Sequence, residues 1–257
     1  MALLSDPNSL TFGLSTLMLV TATLTFVGTS FITAPYGRYS TSKGWGPLLP
    51  ARAAWMVMES PNLWVPMLLA VLKEDTLQRT FPNRVLLSLF FVHYIHRAVL
   101  FPLRMPASSP MPLSVCALAF LYCLWNACLQ SLHLLLVHEY PEDWLLDPRF
   151  LLGSIVFLIG MAVNIHADNV LMQLRAYRKG YSIPIGGLFD YVSCANYAGE
   201  IFEWSGYALA TWSLPGLAFA VYTFSNLAPR AQRHHQWYIE NFKDYPVRRR
   251  ALIPFIW

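Results

Sequence analysis

Long apolar stretches alternate with short polar segments along almost the whole chain. Seven of them have roughly the length, about 20 residues, that a helix needs to cross the hydrocarbon core of a bilayer. They lie at residues 10–33, 52–72, 84–104, 112–137, 150–174, 195–212 and 214–233. Because backbone groups in lipid must pair within their own segment, the pattern excludes an open sheet. It predicts an all-α, polytopic membrane bundle of seven transmembrane helices, with residues 1–257 forming a single integral membrane domain.

Composition and charge are typical of a multi-pass membrane protein. Hydrophobic residues make up 56% of the chain and charged residues only 12%, against about 25% charged residues in an average soluble domain. Basic residues gather after the first, third, fifth and seventh stretches, which predicts an N-terminus outside and a cytosolic C-terminus. The net charge of +4 is therefore assigned to loops that face membrane lipid, and no nucleic-acid partner is expected. The membrane would be the endoplasmic reticulum in a eukaryote or the inner membrane in a bacterium.

The sequence leads to one structural expectation for each end of the chain. Residues 1–10 contain no basic residue, so the first stretch is expected to be a retained helix rather than a cleaved secretory signal. The C-terminal sequence DYPVRRRALIPFIW contains aromatic and aliphatic anchors as well as two prolines. We expect this segment to pack against the loops.

Acidic residues interrupt the apolar pattern at a few positions. Inside or at the ends of the stretches lie Glu59, Asp168, Glu200 and Glu203. A charged side chain at bilayer depth costs about 2.5–3.5 kcal/mol, so such a residue normally faces a cavity, a partner or a ligand. Glu59 also precedes Pro61 and Pro66, which predict a bend in the second stretch because proline removes a backbone hydrogen bond. The acids therefore indicate a polar interior that performs chemistry.

Two further stretches carry clusters of polar residues on helical spacing. The third contains His93, Tyr94, His96 and Arg97 within about a turn and a half. A buried tyrosine hydroxyl needs a partner, so the cluster is either a hydrogen-bonded link between helices or a ligand site. The fifth ends with Asn164, Asp168 and Arg175 on one stripe, with His166 beside it. This stripe is either a solvated helix end or a binding site for a ligand that carries hydroxyl and phosphate groups.

The last two apolar stretches also carry polar residues on helical spacing. Asn196, Glu200 and Glu203 follow the i, i+4, i+7 spacing of one helix face, next to Trp204. The exit of the final stretch carries Arg230, Arg233, His234, His235 and Tyr238. Such a basic segment contacts either lipid phosphates or the phosphates of a nucleotide.

Familiar cofactor and metal motifs are missing from the sequence. There is no GxGxxG motif and no strand pattern, so a dinucleotide would have to be held by helices. The four cysteines show no CxxC or Cys/His spacing, so neither a disulfide framework nor a metal site is expected. Spacing alone leads no further than a cofactor-using enzyme or a transporter that acts on an apolar substrate.

Long segments of the chain resemble one enzyme family. LPARAAWMVMESP, VHYIHR, GMAVNIHAD, YSIPIGGLFDYVSCANYAGEIFEW and DYPVRRRALIPFIW are similar, in this order, to segments of the steroid 5α-reductases. These membrane enzymes, also called 3-oxo-5α-steroid 4-dehydrogenases, reduce the 4,5 double bond of 3-oxo-4-ene steroids with NADPH. The resemblance implies an oxidoreductase with NADPH as cofactor and a steroid or related apolar enone as substrate. A monomer would suffice, because one chain supplies the pocket.

The resemblance also implies roles for individual residues. Glu59 and Tyr94 match the pair that stabilises the 3-keto oxygen while hydride adds to C5. Matches to cofactor-binding residues are Asn164, His166, Asp168, Arg175, Tyr181, Asn196, Glu200, Glu203, Arg230, His234 and Tyr238. Substrate contacts are expected from Trp204, Arg97 and Phe101, the last standing where family members can carry tyrosine.

Other functions are compatible with the same pattern. A related fold could reduce another conjugated lipid, such as a polyprenol or an enoyl chain. A carboxyl methyltransferase using S-adenosylmethionine would give no reason for pairing Glu59 with Tyr94. A lipid transporter would use the intramembrane acids as proton relays and would need no nucleotide.

Overall fold

The computed structural model describes residues 6–72, 80–177 and 180–257. Within these ranges the chain is mainly helical. The α-helices are α1 Pro7–Phe31, α2 Ala51–Glu59, α3 Pro61–Leu72, α4 Phe81–Ile95, α5 Phe101–Arg104, α6 Leu113–Leu132, α7 Pro148–Tyr177, α8 Ala195–Thr211 and α9 Leu214–Asn241. A π-helical segment, His96–Leu100, joins α4 to α5, and another, His133–Val137, continues α6. Two short antiparallel strands, β1 Leu48–Leu49 and β2 Met111–Pro112, pair with each other.

Among the described residues, five helical segments are long and apolar enough to cross a membrane: Pro7–Phe31, Ala51–Leu72, Phe81–Arg104, Leu113–Val137 and Pro148–Tyr177. They match the first five predicted spans to within a few residues, and the chain is a helical membrane protein.

The sixth and seventh predicted spans coincide with α8 and α9. Helix α8 has 17 residues, and α9 has 28 but carries polar and basic residues through its C-terminal half. Helix α9 ends at Asn241 rather than at residue 233, because a helix can continue through polar residues where an apolar run stops. The count of seven spans stays a prediction. So does the orientation, whose charge pattern includes Lys73, Arg79, Arg178 and Lys179, which lie outside the described residues.

The second span is interrupted directly after Glu59. Helix α2 ends at Glu59 and α3 begins at Pro61, a position where the missing N–H of proline costs nothing. Between them, the Ser60 backbone N–H donates to the Val57 carbonyl at 3.3 Å. Both helices pack against α6. The interruption predicted from the prolines is confirmed, and it leaves Glu59 at a helix end.

The described residues divide into two compact units. One comprises the residues up to Leu17 together with Ala34–Leu151, and the other comprises Met18–Thr33 and Leu152–Trp257. The organisation as a single domain stays a prediction.

Glycines bring α7 and α8 into backbone contact in the second unit. A Cβ added at Gly160 would lie 2.3 Å from the backbone nitrogen of Glu203, and one at Gly153 would lie 2.3 Å from that of Ala210. On α8, Gly199 and Gly206 face α7 in the same way. Each helix repeats its glycine after seven residues, which is two turns. The side chains next to these glycines are thereby held at a fixed spacing.

The C-terminal segment is anchored to the loop that precedes α8. The backbone N–H groups of Ser193 and Cys194 donate to the carbonyls of Arg250 (2.8 Å) and Ala251 (3.2 Å). Buried Arg249 donates through Nη1 to the Pro184 carbonyl at 2.8 Å. The expected packing of the C-terminal segment against a loop is confirmed.

A buried hydroxyl joins this anchor to α9. Ser193 Oγ lies 2.6 Å from His235 Nδ1 and 2.5 Å from the Tyr245 hydroxyl. Burial lowers the pKa of His235 below 6.5, and the charge of Arg250 lowers it further. Burial also raises the pKa of Tyr245. All three groups are therefore neutral at pH 7.

The anchor should weaken in acid. Because the folded-state pKa of His235 lies below its ordinary value of 6.5, the unfolded chain takes up this proton first. Stability is then lost as the pH falls from that value through the folded-state pKa. We expect the melting temperature of detergent-solubilised protein to fall more steeply below pH 6.5 than that of His235→Gln, which cannot titrate. Parallel melting curves for the two proteins across this range would contradict the assignment.

Candidate active site

Glu59 lies against α6 in the first unit. Its Oε2 accepts a hydrogen bond from Cys123 Sγ at 3.5 Å, and its backbone carbonyl accepts one from Asn62 Nδ2 at 3.4 Å. The residue is partly buried and ends α2. The break before Pro61 thus leaves the Glu59 carboxyl group at a helix end within a membrane-spanning segment. There it receives a hydrogen bond from Cys123 of α6.

Tyr94 also receives a hydrogen bond from α6. Its side chain is 4% exposed, and its hydroxyl accepts from Asn126 Nδ2 at 3.2 Å. Asn126 also donates to Asn62 Oδ1 at 3.4 Å and accepts from Gln130 Nε2 at 3.2 Å. All three amides are buried. Since a buried amide without hydrogen bonds costs folding free energy, this network fixes the geometry around Tyr94.

The residues of α3 and α6 that hydrogen-bond around Glu59 and Tyr94 are not among the site residues predicted from the sequence: Asn62, Cys123, Asn126 and Gln130. A signal was present, because Asn126 and Gln130 stand four residues apart within the apolar fourth stretch. Neutral amides carry no charge, so the cost of burying a charge in lipid does not mark them. Their importance depends on partners from other helices, which spacing within one helix does not reveal.

Arg97 and Phe101, both predicted to contact substrate, lie together on the π-helical turn and the start of α5. The guanidinium carbon of Arg97 is 4.9 Å from the Phe101 ring centre and 4.6 Å from that of Trp55. The Trp55 and Phe101 rings meet edge to face at 5.4 Å. These cation–π contacts hold the three side chains as one cluster. Whether the cluster contacts substrate stays a prediction.

The two predicted polar stripes of α7 and α8 meet in the second unit. Asn196 Nδ2 donates to Asp168 Oδ1 at 3.1 Å, and Asn164 Nδ2 donates to the Asn196 carbonyl at 2.9 Å. Asn164 and Asp168 are almost fully buried. A Cβ at Gly199 would lie 2.6 Å from the Asn164 backbone nitrogen, so the glycine contact brings these amides and the carboxylate together.

Other predicted cofactor residues of the second unit are buried to different extents. Glu203 is fully buried beside Gly160, whereas Glu200 and Arg230 are partly buried and Arg175 is exposed. His166 is exposed and its ring lies against Gly187, where a Cβ would be 2.7 Å from Nε2.

Aromatic rings organise the residues around α9. His234 Nε2 lies 3.4 Å from the Tyr197 hydroxyl, and Tyr181 packs edge to face on Trp237 with ring centres 5.2 Å apart. Tyr238 is buried and stacks on Tyr245 at 5.3 Å. These contacts hold the side chains against one another. The role of these residues in cofactor binding stays a prediction.

Trp204 occupies an aromatic core. Its ring centre lies 4.3 Å from that of Phe219, 5.6 Å from Tyr207 and 6.0 Å from Phe157. The side chain is 1% exposed. Packing accounts for this placement, and the predicted contact with substrate remains a prediction.

The chain is similar to steroid-reducing enzymes. The family described as 3-oxo-5-alpha-steroid 4-dehydrogenase matches residues 109–257. The chain is 51% identical over 235 residues to 3-oxo-5-alpha-steroid 4-dehydrogenase 1 of Bos taurus, which covers 90% of this chain and 91% of that protein. It is 48% identical to the Homo sapiens protein of the same name, over 81% of each chain. Identity to steroid 5-alpha-reductase DET2 of Solanum lycopersicum is 43%, over 98% of this chain and 99% of that protein.

Proposed function

The chain belongs to the 3-oxo-5-alpha-steroid 4-dehydrogenase family, and from this we propose that it reduces the 4,5 double bond of 3-oxo-4-ene steroids with NADPH. It is an oxidoreductase and an integral membrane protein, and its family implies a nicotinamide cofactor as the reductant. The observation that carries the proposal is the similarity across nine-tenths of the chain to relatives with this name. The contacts of Glu59 and Tyr94 with α6 support it.

Glu59 and Tyr94 are proposed to stabilise the charge that develops on the substrate. When hydride adds to C5, negative charge moves to the 3-keto oxygen. A protonated Glu59 and the Tyr94 hydroxyl donate hydrogen bonds to that oxygen, and a proton then adds at C4. Glu59 has to carry its proton to donate in this way. Arg97, Phe101 and Trp204 are proposed to contact the steroid.

The polar residues of the second unit fit a dinucleotide by their chemistry. Asp168 with Asn164 and Asn196 offers acceptors and donors of the kind that ribose hydroxyls need. Arg175, Arg230 and His234 offer donors for phosphate oxygens. When bound, NADPH would supply the hydride. The other residues proposed for this site are His166, Tyr181, Glu200, Glu203 and Tyr238.

The proposed topology has seven spans, with α8 and α9 as the sixth and seventh. Basic residues at the end of α7 and along the second half of α9 support a cytosolic C-terminus. A single cysteine introduced at exposed Val247 of a cysteine-less protein should react with a membrane-impermeant reagent only from the cytosolic side. Labelling from the opposite side would reverse the orientation. Membrane lipid and the steroid are the proposed partners, and one chain suffices.

The activity can be tested with purified protein in lipid nanodiscs. We expect NADPH absorbance to fall when progesterone or testosterone is added, with the 5α-reduced steroid as product and a slower reaction with NADH. Oxidation of NADPH by a polyprenol or an enoyl lipid, but not by steroids, would favour another lipid reductase. Substrate flux coupled to protons without any nucleotide requirement would favour a transporter instead.

A further inference from the structure

One face of α6 supplies a donor to each of the two proposed catalytic groups. Cys123 and Asn126 are three residues apart, and Gln130 follows four residues later, so all three share this face. Cys123 Sγ donates to Glu59 Oε2, and Asn126 Nδ2 donates to the Tyr94 hydroxyl. The partners of Glu59 and Tyr94 are therefore about one turn apart on α6.

The hydrogen bonds made by the two side-chain amides of α6 run in one direction, toward Tyr94. Gln130 Nε2 donates to Asn126 Oδ1 at 3.2 Å, which leaves Asn126 Nδ2 as the atom that faces Tyr94. An amide nitrogen has no lone pair to accept with, so the Tyr94 O–H cannot be directed at it. The phenol accepts from α6 and has to donate its proton elsewhere.

The same reasoning applies to Glu59. Because the Cys123 thiol donates to Oε2, that oxygen is the acceptor of the carboxyl group. The carboxylic proton is then favoured on Oε1, the other oxygen. Each group receives a hydrogen bond from α6, and an accepted hydrogen bond strengthens the donation of the O–H that accepts it.

We propose that Asn126 and Cys123 are positioning residues that turn the protons of Tyr94 and Glu59 away from α6 and toward the steroid 3-keto oxygen. This inference rests on the proposed function, which gives Glu59 and Tyr94 their ketone. Gln130 has a supporting role, because its donation to Oδ1 sets the orientation of the Asn126 amide.

Asn126→Asp provides the sharpest test, because it keeps the shape and replaces the donor by a group that titrates. When ionised, the new carboxylate accepts the Tyr94 proton, and we expect kcat to fall about 100-fold with little change in the KM for NADPH. When protonated, the new carboxyl group can donate to Tyr94 again. The kcat of this variant should therefore recover as the pH is lowered, relative to wild type at the same pH. Asn126→Leu should show a loss of about tenfold or more that does not recover.

Substitutions at Cys123 provide a second test, because serine keeps the hydrogen-bond donor and alanine removes it. Cys123→Ser keeps a donor and should retain turnover, whereas Cys123→Ala should lower kcat several-fold, about the effect of one neutral hydrogen bond. Cys128→Ala, on the same helix and partly buried, is the matched control and should behave as wild type. NADPH binding, measured by fluorescence, reports whether each variant is folded.

The outcomes separate this inference from the function itself. If wild-type protein reduces no enone steroid, the proposed function fails. If wild-type protein is active and both Asn126→Leu and Asn126→Asp keep its kcat, only the positioning role fails. A loss in Asn126→Asp that shows no recovery in acid, with NADPH binding intact, would likewise overturn it. In the Tyr94→Phe background, a further loss from Asn126→Leu as large as in wild type would show that Asn126 does not act through Tyr94.

Discussion

Tyr94→Phe and Glu59→Gln should each lower kcat for an enone steroid at least about 100-fold, the usual cost of removing one donor to a developing oxyanion. Phenylalanine removes the hydroxyl that Asn126 holds, and glutamine replaces a carboxylic acid by an amide, which is a far weaker acid. Both substitutions keep the size of the side chain. Affinity for NADPH should change little, because the residues proposed to bind it belong to α7, α8, α9 and the loop between α7 and α8. Single-turnover rates with bound NADPH measure the effect directly.

Matched variants at exposed positions control for general damage. Tyr177→Phe and Glu142→Gln make the same chemical changes at exposed sites and should leave kcat unchanged. Near-normal turnover in either Tyr94→Phe or Glu59→Gln would remove that residue from the proposed pair. A variant that loses NADPH binding together with turnover would point to a folding role.

The membrane-spanning helices could be predicted from the sequence because the length of an apolar run directly limits where a helix can lie in lipid. The break after Glu59 was equally readable, since Pro61 begins a new helix. The end of α9 was not, because its polar turns carry no apolar signal beyond residue 233. What a helix does outside the bilayer depends on its tertiary partners.

The sequence predicts many residues of the candidate site, but it does not predict which of them contact one another. The sequence predicts Asn164 and Asp168 on one helix stripe and Asn196 on another, and the structure joins the two by hydrogen bonds. Their meeting depends on the glycine contacts between α7 and α8, whose seven-residue spacing was visible in the sequence. The network around Asn126 was missed because a neutral amide in an apolar run becomes informative only through its partner.

Gly160→Ala should destabilise the protein although alanine is the better helix former. The added methyl group would lie 2.3 Å from the backbone nitrogen of Glu203, so α7 and α8 have to move apart. We expect a loss of at least about 3 kcal/mol, the upper range for overpacking a tight core. For a chain of this size, that corresponds to a melting temperature lower by about 6–12 °C. Thermal unfolding in detergent measures it.

Gly13→Ala is the matched control, since nothing lies within 4 Å of the added methyl group in α1. There the substitution should be neutral or stabilising by up to about 1 kcal/mol, the helix preference of alanine over glycine. Separation of α7 from α8 should also lengthen the Asn196–Asp168 hydrogen bond, so Gly160→Ala should raise the KM for NADPH more than it lowers kcat. Equal melting temperatures for the Gly160 and Gly13 variants would show that α7 and α8 do not pack at backbone contact. A destabilised variant with an unchanged KM would instead separate this packing from cofactor binding, and would argue against Asp168 and Asn196 as cofactor residues.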